Sequence, residues 1–180
     1  ARTKAGIAYC NSHNLTISAF GFGWCWDPYV IVGTNTTYYL TATQEYIDYC
    51  TANGYSTKVF FTTGPVDGVA HGELTEKDGY YKSLSYEQIR AYCAAHPATI
   101  LFDYADILCY NDGSSVPNTI TWDGHTYPII TATNLGDGGT GHIGSAGAIR
   151  LAKAMWWMLA RIAGWDGEPL AAGTWLGGTT

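Results

Sequence analysis

Three short runs of apolar and β-branched residues are spaced along the first two thirds of the chain. They cover 15–24 (LTISAFGFGW), 58–63 (KVFFTT) and 99–104 (TILFDY). Continuous apolar runs of this length, bounded by turn-forming residues, are typical of strands that are covered on both faces. The pattern therefore predicts three buried strands of one sheet.

Helical patterns fill the intervals around these strands. Residues 2–13 predict the end of a helix ahead of the first strand. Two capping-box pairs predict the starts of the next helices: Thr41 with Gln44 for a helix over 42–53, and Ser85 with Gln88 for a helix that stops at His96-Pro97. Helices between successive strands form right-handed βαβ crossovers. We therefore expect an α/β fold with three layers, α/β/α, and a mainly parallel sheet.

The strongest helical pattern closes the chain, between Ser145 and Ala163, with Gly164 as its stop. We expect 1–164 to form one domain, with this helix packed on the sheet, and 165–180 to be a C-terminal tail or linker. One apolar stripe predicts the inward face: Ala148, Ala152, Met155, Leu159 and Ile162.

Trp157 lies opposite that stripe, four residues from Lys153 and four from Arg161. An indole between two cations on a solvated face indicates a contact surface. We expect cover from the C-terminal tail, from an upstream segment or neighbouring chain, or from a ligand.

Turn-forming residues dominate 111–127, where Asp112-Gly113 and Asp123-Gly124 occur. The composition predicts one long loop, and long loops in compact domains often carry function.

Composition narrows the class of protein. The chain has 180 residues, of which 47% are hydrophobic and 13% charged, so we expect one folded domain and neither a disordered chain nor a coiled coil. The net charge is −6, and the nine Lys and Arg are scattered singly, so we expect no nucleic-acid partner. Because apolar runs fall short of the roughly 18 residues that cross a bilayer, we expect no membrane span.

The chain begins at Ala1, without an initiator Met or a signal peptide, so we expect a processed product with further sequence upstream. Few Lys, 22 Gly and seven Trp suit a secreted protein, and Asn14 and Asn35 each open an N-glycosylation sequon. These features predict an extracellular glycoprotein.

The five cysteines show no CxxC pair, so we expect no metal site, and nothing in the sequence indicates a cofactor. Their odd number leaves at least one thiol unpaired within the chain. Buried thiols and disulfides both fit this count, and Cys93 with Cys109 is the pair that we favour.

His142 stands apart from the other four histidines, which lie in polar turns, in the long loop or before a proline. It ends a glycine-rich loop, 136–142, that leads directly into the closing helix. Ligands of open α/β sheets bind at the carboxyl ends of the strands, where such a loop can aim a side chain. A helix-entry loop whose histidine only packs is the alternative.

The segment from His142 to Gly147 (HIGSAG) and the helix after it resemble the last block of the SGNH (GDSL-type) hydrolases, whose catalytic His stands five residues before a Gly. The runs 20–27, 59–68, 89–93 and 100–107 are similar to secreted members of that superfamily. The resemblance implies a flavodoxin-like α/β/α fold, ester hydrolysis and His142 as the catalytic base.

The acid and the oxyanion residues depart from the family pattern. The family acid stands three residues before the His, where this chain has Gly139, so Asp137 is the nearest carboxylate that could orient the ring. Gly64 and Asp67 stand in a block where the family has Gly-x-Asn-Asp, so the Asn that would help bind the oxyanion is absent, and Gly64 and Asp67 are the candidate oxyanion or substrate contacts. Gly23 falls where the resemblance implies the oxyanion glycine.

The family's Gly-Asp-Ser is absent near the start of the chain. The only partial match to this motif is Cys10-Asn11-Ser12, and Ser12 lies in the predicted helix end. We therefore expect the first strand and the Ser nucleophile to lie upstream.

Two other sets of residues could carry chemistry. Cys25, between two tryptophans at a strand end, is a candidate thiolate nucleophile, with a packed or disulfide-bonded Cys as the alternative. Asp103 and Asp106 could form a glycosidase carboxylate pair, but a polar strand end explains them equally.

The sequence thus predicts a secreted ester hydrolase, or the C-terminal part of one, that acts on a small-molecule or carbohydrate acyl ester. The alternative is a non-catalytic extracellular binding or structural module on the same fold.

Overall fold

A parallel three-stranded sheet forms the centre of the computed structural model, which describes residues 2–15, 17–23, 34–64, 69–70, 72, 74–136 and 142–167. The strands are β1 (Ala19–Gly21), β2 (Lys58–Thr62) and β3 (Ile100–Phe102), and β2 lies in the middle. All three predicted strands are confirmed, and so is the α/β class.

Five helices and a hairpin surround the sheet in the described residues. The helices are α1 (Arg2–Ser12), α2 (Thr34–Ala52), α3 (Glu76–Ala95), α4 (Tyr104–Leu108) and α5 (Ser145–Ile162), and the hairpin strands are β4 (Thr119–Trp122) and β5 (His125–Pro128). Since α2 and α3 each join two neighbouring parallel strands, they are the predicted crossovers. None of the described helices is both long and apolar enough to span a membrane.

The main core lies on one face of the sheet. Alternate residues of a strand point to opposite faces, so Val59 and Phe61 of β2 share a face. Val59 packs with Ile7 of α1 and Cys50 of α2, and Phe61 packs with Ile89 of α3. Burying each such side chain contributes about 1.5–3 kcal/mol, so this layer holds the three helices against the sheet.

The closing helix α5 runs opposite to the strands. Near its start, Arg150 Nε donates to the carbonyl of Ile107 in α4, which follows the carboxyl end of β3. Its last turn, at Ile162, lines a cavity of about 390 Å³ together with Ser18 and Lys58, at the amino ends of β1 and β2. The start of α5 therefore lies on the carboxyl side of the sheet.

The predicted helix starts are wrong for α2 and α3. Thr41 and Gln44 lie inside α2, and α3 is capped by Thr75, whose side chain accepts from Asp78 N while the Asp78 carboxylate accepts from Thr75 N. Ser85 is buried inside α3. An S/T-x-x-Q pair also occurs within a helix, because positions three apart share a face, so it marks a start only when nothing before it is helical.

The predicted inward stripe of α5 is rotated by about one residue, because Ala148, Ala152 and Leu159 are exposed. Gly147 and Met158 are buried instead. A Cβ at Gly147 would lie 2.5 Å from the Asn134 carbonyl oxygen, so only glycine permits this approach. Backbone contact at a glycine therefore sets the rotation of α5, and a hydrophobicity pattern does not show it.

The predicted long loop contains the β4–β5 hairpin. Asp123 and Gly124 have φ of 46° and 77°, which fits the two-residue turn that Asp-Gly favours between antiparallel strands.

The favoured disulfide is also wrong, because Cys93 and Cys109 are both free thiols. Cys109 Sγ donates to the carbonyl of Ala105, and burial raises its pKa to about 12.

Candidate functional site

The carboxyl ends of the three strands meet at one edge of the sheet. Gly23 follows β1, Gly64 follows β2 and Asp103 follows β3. Gly23 lies against β2, since a Cβ there would be 2.8 Å from Thr62 Cγ2. The fold thus brings Gly23 and Gly64, the two predicted oxyanion glycines, to the same edge.

Asp103 is the polar centre of this edge. Its carboxylate accepts from Arg90 Nε at 2.6 Å, from Arg90 Nη2 at 2.9 Å and from Thr63 Oγ1 at 2.9 Å. It also caps α4 by accepting from Asp106 N, and Thr63 Oγ1 in turn accepts from Ala105 N. Asp103 therefore ties β2, β3, α3 and α4 together.

The carboxylates of Asp103 and Glu87 keep Arg90 protonated. Burial works to lower the pKa of Arg90, but hydrogen bonds and charge from Asp103 and Glu87 raise it above its ordinary value. The pKa of Asp106 is raised by burial and by the nearby Asp103 carboxylate. Because Asp103 is fully engaged in structural bonds, the contacts favour a polar strand end over a glycosidase pair.

Tyr39 of α2 fixes the neighbouring strand end. Its hydroxyl accepts from Thr62 N at 2.7 Å, and its ring packs edge-on against Phe22 and Phe61. Burial raises the pKa of Tyr39 to about 12, so the phenol stays protonated at neutral pH. No sequence pattern indicated Tyr39, because it lies in the half of α2 before residue 42, outside the predicted helix.

The backbone of His142 is held firmly beside α4 and α5. Gly136 N donates to the His142 carbonyl at 2.9 Å, and Leu135 and Ile143 form an antiparallel bridge. Gly144 N donates to the carbonyl of Asn134. These bonds close the loop between Gly136 and His142 and leave the His142 side chain exposed on the carboxyl side of the sheet.

Asn134 connects this loop base to α4. Its buried side-chain amide donates to the carbonyls of Leu108 and Tyr110, both at 3.0 Å. Glycine is required at Gly136, where a Cβ would lie 2.7 Å from the His142 carbonyl oxygen. The backbone of residue 142 is therefore fixed by main-chain bonds and by Asn134.

Ser12 lies at the opposite end of the sheet, near the amino ends of the strands. Lys4 of α1 pairs with Glu45 of α2 at 2.5 Å, and Ile7 packs near Cys50, so α1 runs beside α2 toward the amino ends of the strands. At the end of α1, Ser12 Oγ donates to the carbonyl of Tyr9 and lies 2.9 Å from His13 Nδ1. The structure does not bring Ser12 to the edge that holds Gly23 and Gly64.

Three predicted site residues, Cys25, Asp67 and Asp137, lie outside the described residues. Their roles as nucleophile, substrate contact and orienting acid stay predictions. The aromatic residues that flank Cys25 share this status.

A polar groove of about 630 Å³ adjoins the start of α5. Arg150 forms an ion pair with Asp112 there. The remaining lining residues are Asn111, Thr133, Asn134, Ala146, Ile149 and Lys153. Ala146, four residues after His142 in the sequence, lines this groove, so its amide and charged groups lie near the start of α5.

Comparisons of this chain with protein-family models, with curated proteins and with solved structures find no match.

Proposed function

We propose that this chain carries the catalytic-histidine part of a secreted SGNH-type ester hydrolase that acts on carbohydrate acyl esters. The observation that carries the proposal is the anchored backbone of His142 on the carboxyl side of a parallel sheet, the side where Gly23 and Gly64 end their strands. Ligands of open α/β sheets bind at this side.

Each residue of the proposed site has one task. A Ser hydroxyl attacks the acyl carbonyl while His142 takes its proton; the ester C–O bond then breaks, and His142 returns the proton to the leaving alcohol. Water releases the acyl group by the same path in reverse. Asp137 orients the ring, and backbone N–H groups near Gly23 and Gly64 donate to the oxyanion.

The nucleophile in this proposal comes from outside residues 1–180. Ser12 is held by Tyr9 and His13 at the far end of α1, on the amino side of the sheet. In the described part of the chain, the residues that follow the three strands contain no serine up to Gly23, Gly64 and Asp103. A segment that adds a strand and a Gly-Asp-Ser turn would complete the edge.

The proposed architecture is a three-layer α/β/α domain spanning 1–164. Helices α1 to α3 pack on the face of Val59 and Phe61. In this architecture α5 covers the opposite face, because Ile162 lines a cavity with Ser18 and Lys58. The ring of Phe60 lies over Gly21, where a Cβ would be 2.2 Å from the ring, so this face accepts a closely packed layer. Residues 165–180 then form the C-terminal tail, and the exposed Asn14 at the end of α1 is a candidate glycan site.

The test is acyl-ester turnover by the full protein, including any upstream segment, on p-nitrophenyl acetate and acetylated xylan. His142→Ala should lower kcat at least about 10³-fold. His96→Ala is the matched control, because His96 is an exposed histidine at the far end of α3, and it should retain the wild-type rate. A His142→Ala protein that keeps its fold, by thermal unfolding, and its full rate would refute the proposal.

A non-catalytic extracellular binding module is the second candidate. It is favoured by one observation, the position of Ser12 away from the strand ends. A full protein that hydrolyses neither ester and still binds xylan would establish this candidate in place of the first.

A further inference from the structure

The outward face of α5 exposes two adjacent indoles. Trp156 is 68% exposed and Trp157 is 53% exposed, and with Ile149, Ala152 and Lys153 they line a shallow cavity of about 520 Å³. Exposed apolar clusters rimmed by polar residues mark interaction sites. This cavity is separate from the strand-end residues of the proposed catalytic site.

Neighbouring groups hold the two rings in place. The Trp165 ring lies 6.1 Å from the Trp156 ring, and the Arg161 guanidinium lies 5.7 Å from the centre of the Trp157 ring. An aromatic pair and a cation–π contact each restrict ring motion, so the indoles form a preformed surface.

The indole cavity continues into the polar groove beside His142. Ile149 and Lys153 line both, so the two form one surface, which we name the α5 groove. From Ala146 to Trp157 the helix rises about 16 Å. One end of the α5 groove therefore lies at the start of α5, four residues after His142 in the sequence, and the other end carries the indoles.

We propose that the α5 groove binds the glycan chain of an acidic polysaccharide substrate. The inference rests on the proposed function and adds a second contact region to it. Hydroxyl groups of sugar units match the amide and charged groups of Asn111, Asp112 and Arg150, and flat C–H faces of sugar rings match the indoles.

Charge selects an acidic glycan. Lys153 stands where the two halves of the α5 groove meet, and Arg161 covers Trp157. Uronate carboxylates along a glycan would pair with these cations, so the attraction is confined to this face of a chain whose net charge is −6. The cations therefore place an acidic chain on this face of the molecule.

Two other occupants fit less well. A symmetric pair of α5 helices would bring Lys153 and Arg161 of both copies together, and like charges across an interface are costly. A lipid bilayer would contact this whole face at once, so its anionic headgroups would meet the exposed carboxylate of Asp112 as well as the cations.

The experiment is affinity electrophoresis of the full chain in gels that contain polygalacturonate, with dextran gels as the neutral reference. Polygalacturonate should retard the wild type, and Trp157→Ala, Trp156→Ala and Lys153→Ala should each weaken binding at least fivefold. Tyr38→Ala is the matched control, because Tyr38 is an exposed aromatic, 68% exposed, on α2. Its retardation should equal that of the wild type.

Four outcomes overturn the inference. They are wild-type binding by the Trp156→Ala and Trp157→Ala variants, equal retardation in dextran, indole-dependent binding to phosphatidylcholine–phosphatidylglycerol vesicles without glycan binding, and indole-dependent dimers in sedimentation.

Binding and turnover separate the two proposals. His142→Ala should bind polygalacturonate normally; if it abolishes ester turnover while the indole variants bind like the wild type, only the groove assignment fails.

Discussion

Arg90 holds Asp103 through two hydrogen bonds, from Nε to one carboxylate oxygen at 2.6 Å and from Nη2 to the other at 2.9 Å. The pair joins α3 to the residue that ends β3 and caps α4. Since Thr63 also donates to Asp103, the carboxyl edges of β2 and β3 depend on one side chain.

Asp103→Asn should destabilise the fold by about 2–4 kcal/mol, because it leaves the partly buried guanidinium of Arg90 with only the exposed Glu87 as a charged partner. Glu87→Gln is the control: Glu87 also pairs with Arg90 but is mostly exposed, so its loss should cost under about 1 kcal/mol. Urea unfolding followed by circular dichroism measures both. Equal costs would show that Asp103 is not the centre of this edge.

Gly147→Ala should cost about 1–3 kcal/mol, because its Cβ would meet the Asn134 backbone 2.5 Å away. The neighbouring Ala148 is exposed, so Ala148→Ser should change stability by less than about 0.5 kcal/mol. The same strain should displace the loop base of His142 and lower ester turnover of the full protein. A Gly147→Ala protein as stable as the wild type would contradict the fixed rotation of α5.

Stability should fall as pH rises from about 9 to about 12. Burial raises the pKa of Cys109 from 9.0 to about 12, so in this window the unfolded chain releases a thiol proton that the folded chain keeps. The unfolded state then binds fewer protons, and the free energy of unfolding decreases with pH. Tyr39, with its pKa raised to about 12, acts in the same direction above pH 10.

Cys109→Ala should therefore flatten this alkaline decline, even though it lowers stability at pH 7. Denaturant titrations at pH 7, 9 and 11 measure the slope. Cys10→Ala is a suitable control, since that thiol is only partly buried at the surface of α1. An unchanged slope in Cys109→Ala would contradict the assignment.

The chain of residues 1–180 alone should be inactive as a serine esterase, because Ser12 lies on the amino side of the sheet. Fluorophosphonate labelling with mass spectrometry should leave Ser12 unmodified, and Ser12→Ala should behave as the wild type. Turnover that disappears in Ser12→Ala would overturn the proposal of an outside nucleophile. If iodoacetamide modifies Cys25 and abolishes turnover, the nucleophile is the Cys25 thiolate, and the proposal of an outside serine is overturned.

The strands were predictable because apolar runs such as KVFFTT, bounded by turn-forming residues, are typical of strands. In β2 one face is buried, and the other is half-buried apart from Lys58. The capping pairs did not predict the starts of α2 and α3. The capping box of α3 pairs Thr75 with Asp78, and Asp does not fit the S/T-x-x-E/Q pattern. The Asp123-Gly124 pair is typical of a hairpin turn, but the polar residues on either side of it do not show the pattern of a strand.

Much of the candidate site depends on contacts between residues distant in sequence. Arg90 and Asp103 meet only when α3 packs beside β3, and Tyr39 reaches Thr62 across 23 positions. No local pattern in the sequence records such pairs. By contrast, the glycine-rich segment before α5 was recognisable from the sequence, because a run of glycines is a local signal of backbone freedom.

The bridge between Leu135 and Ile143 separates the placement of His142 from the composition of the loop that it closes. Doubling the length of a closed loop costs only about 0.6 kcal/mol. Insertions within 138–141 should thus be tolerated by the folded chain. Because Asp137 is the proposed orienting acid, 138–141 are the positions where mutation can change ligand preference, in evolution or in a designed library, while the backbone of His142 keeps its position.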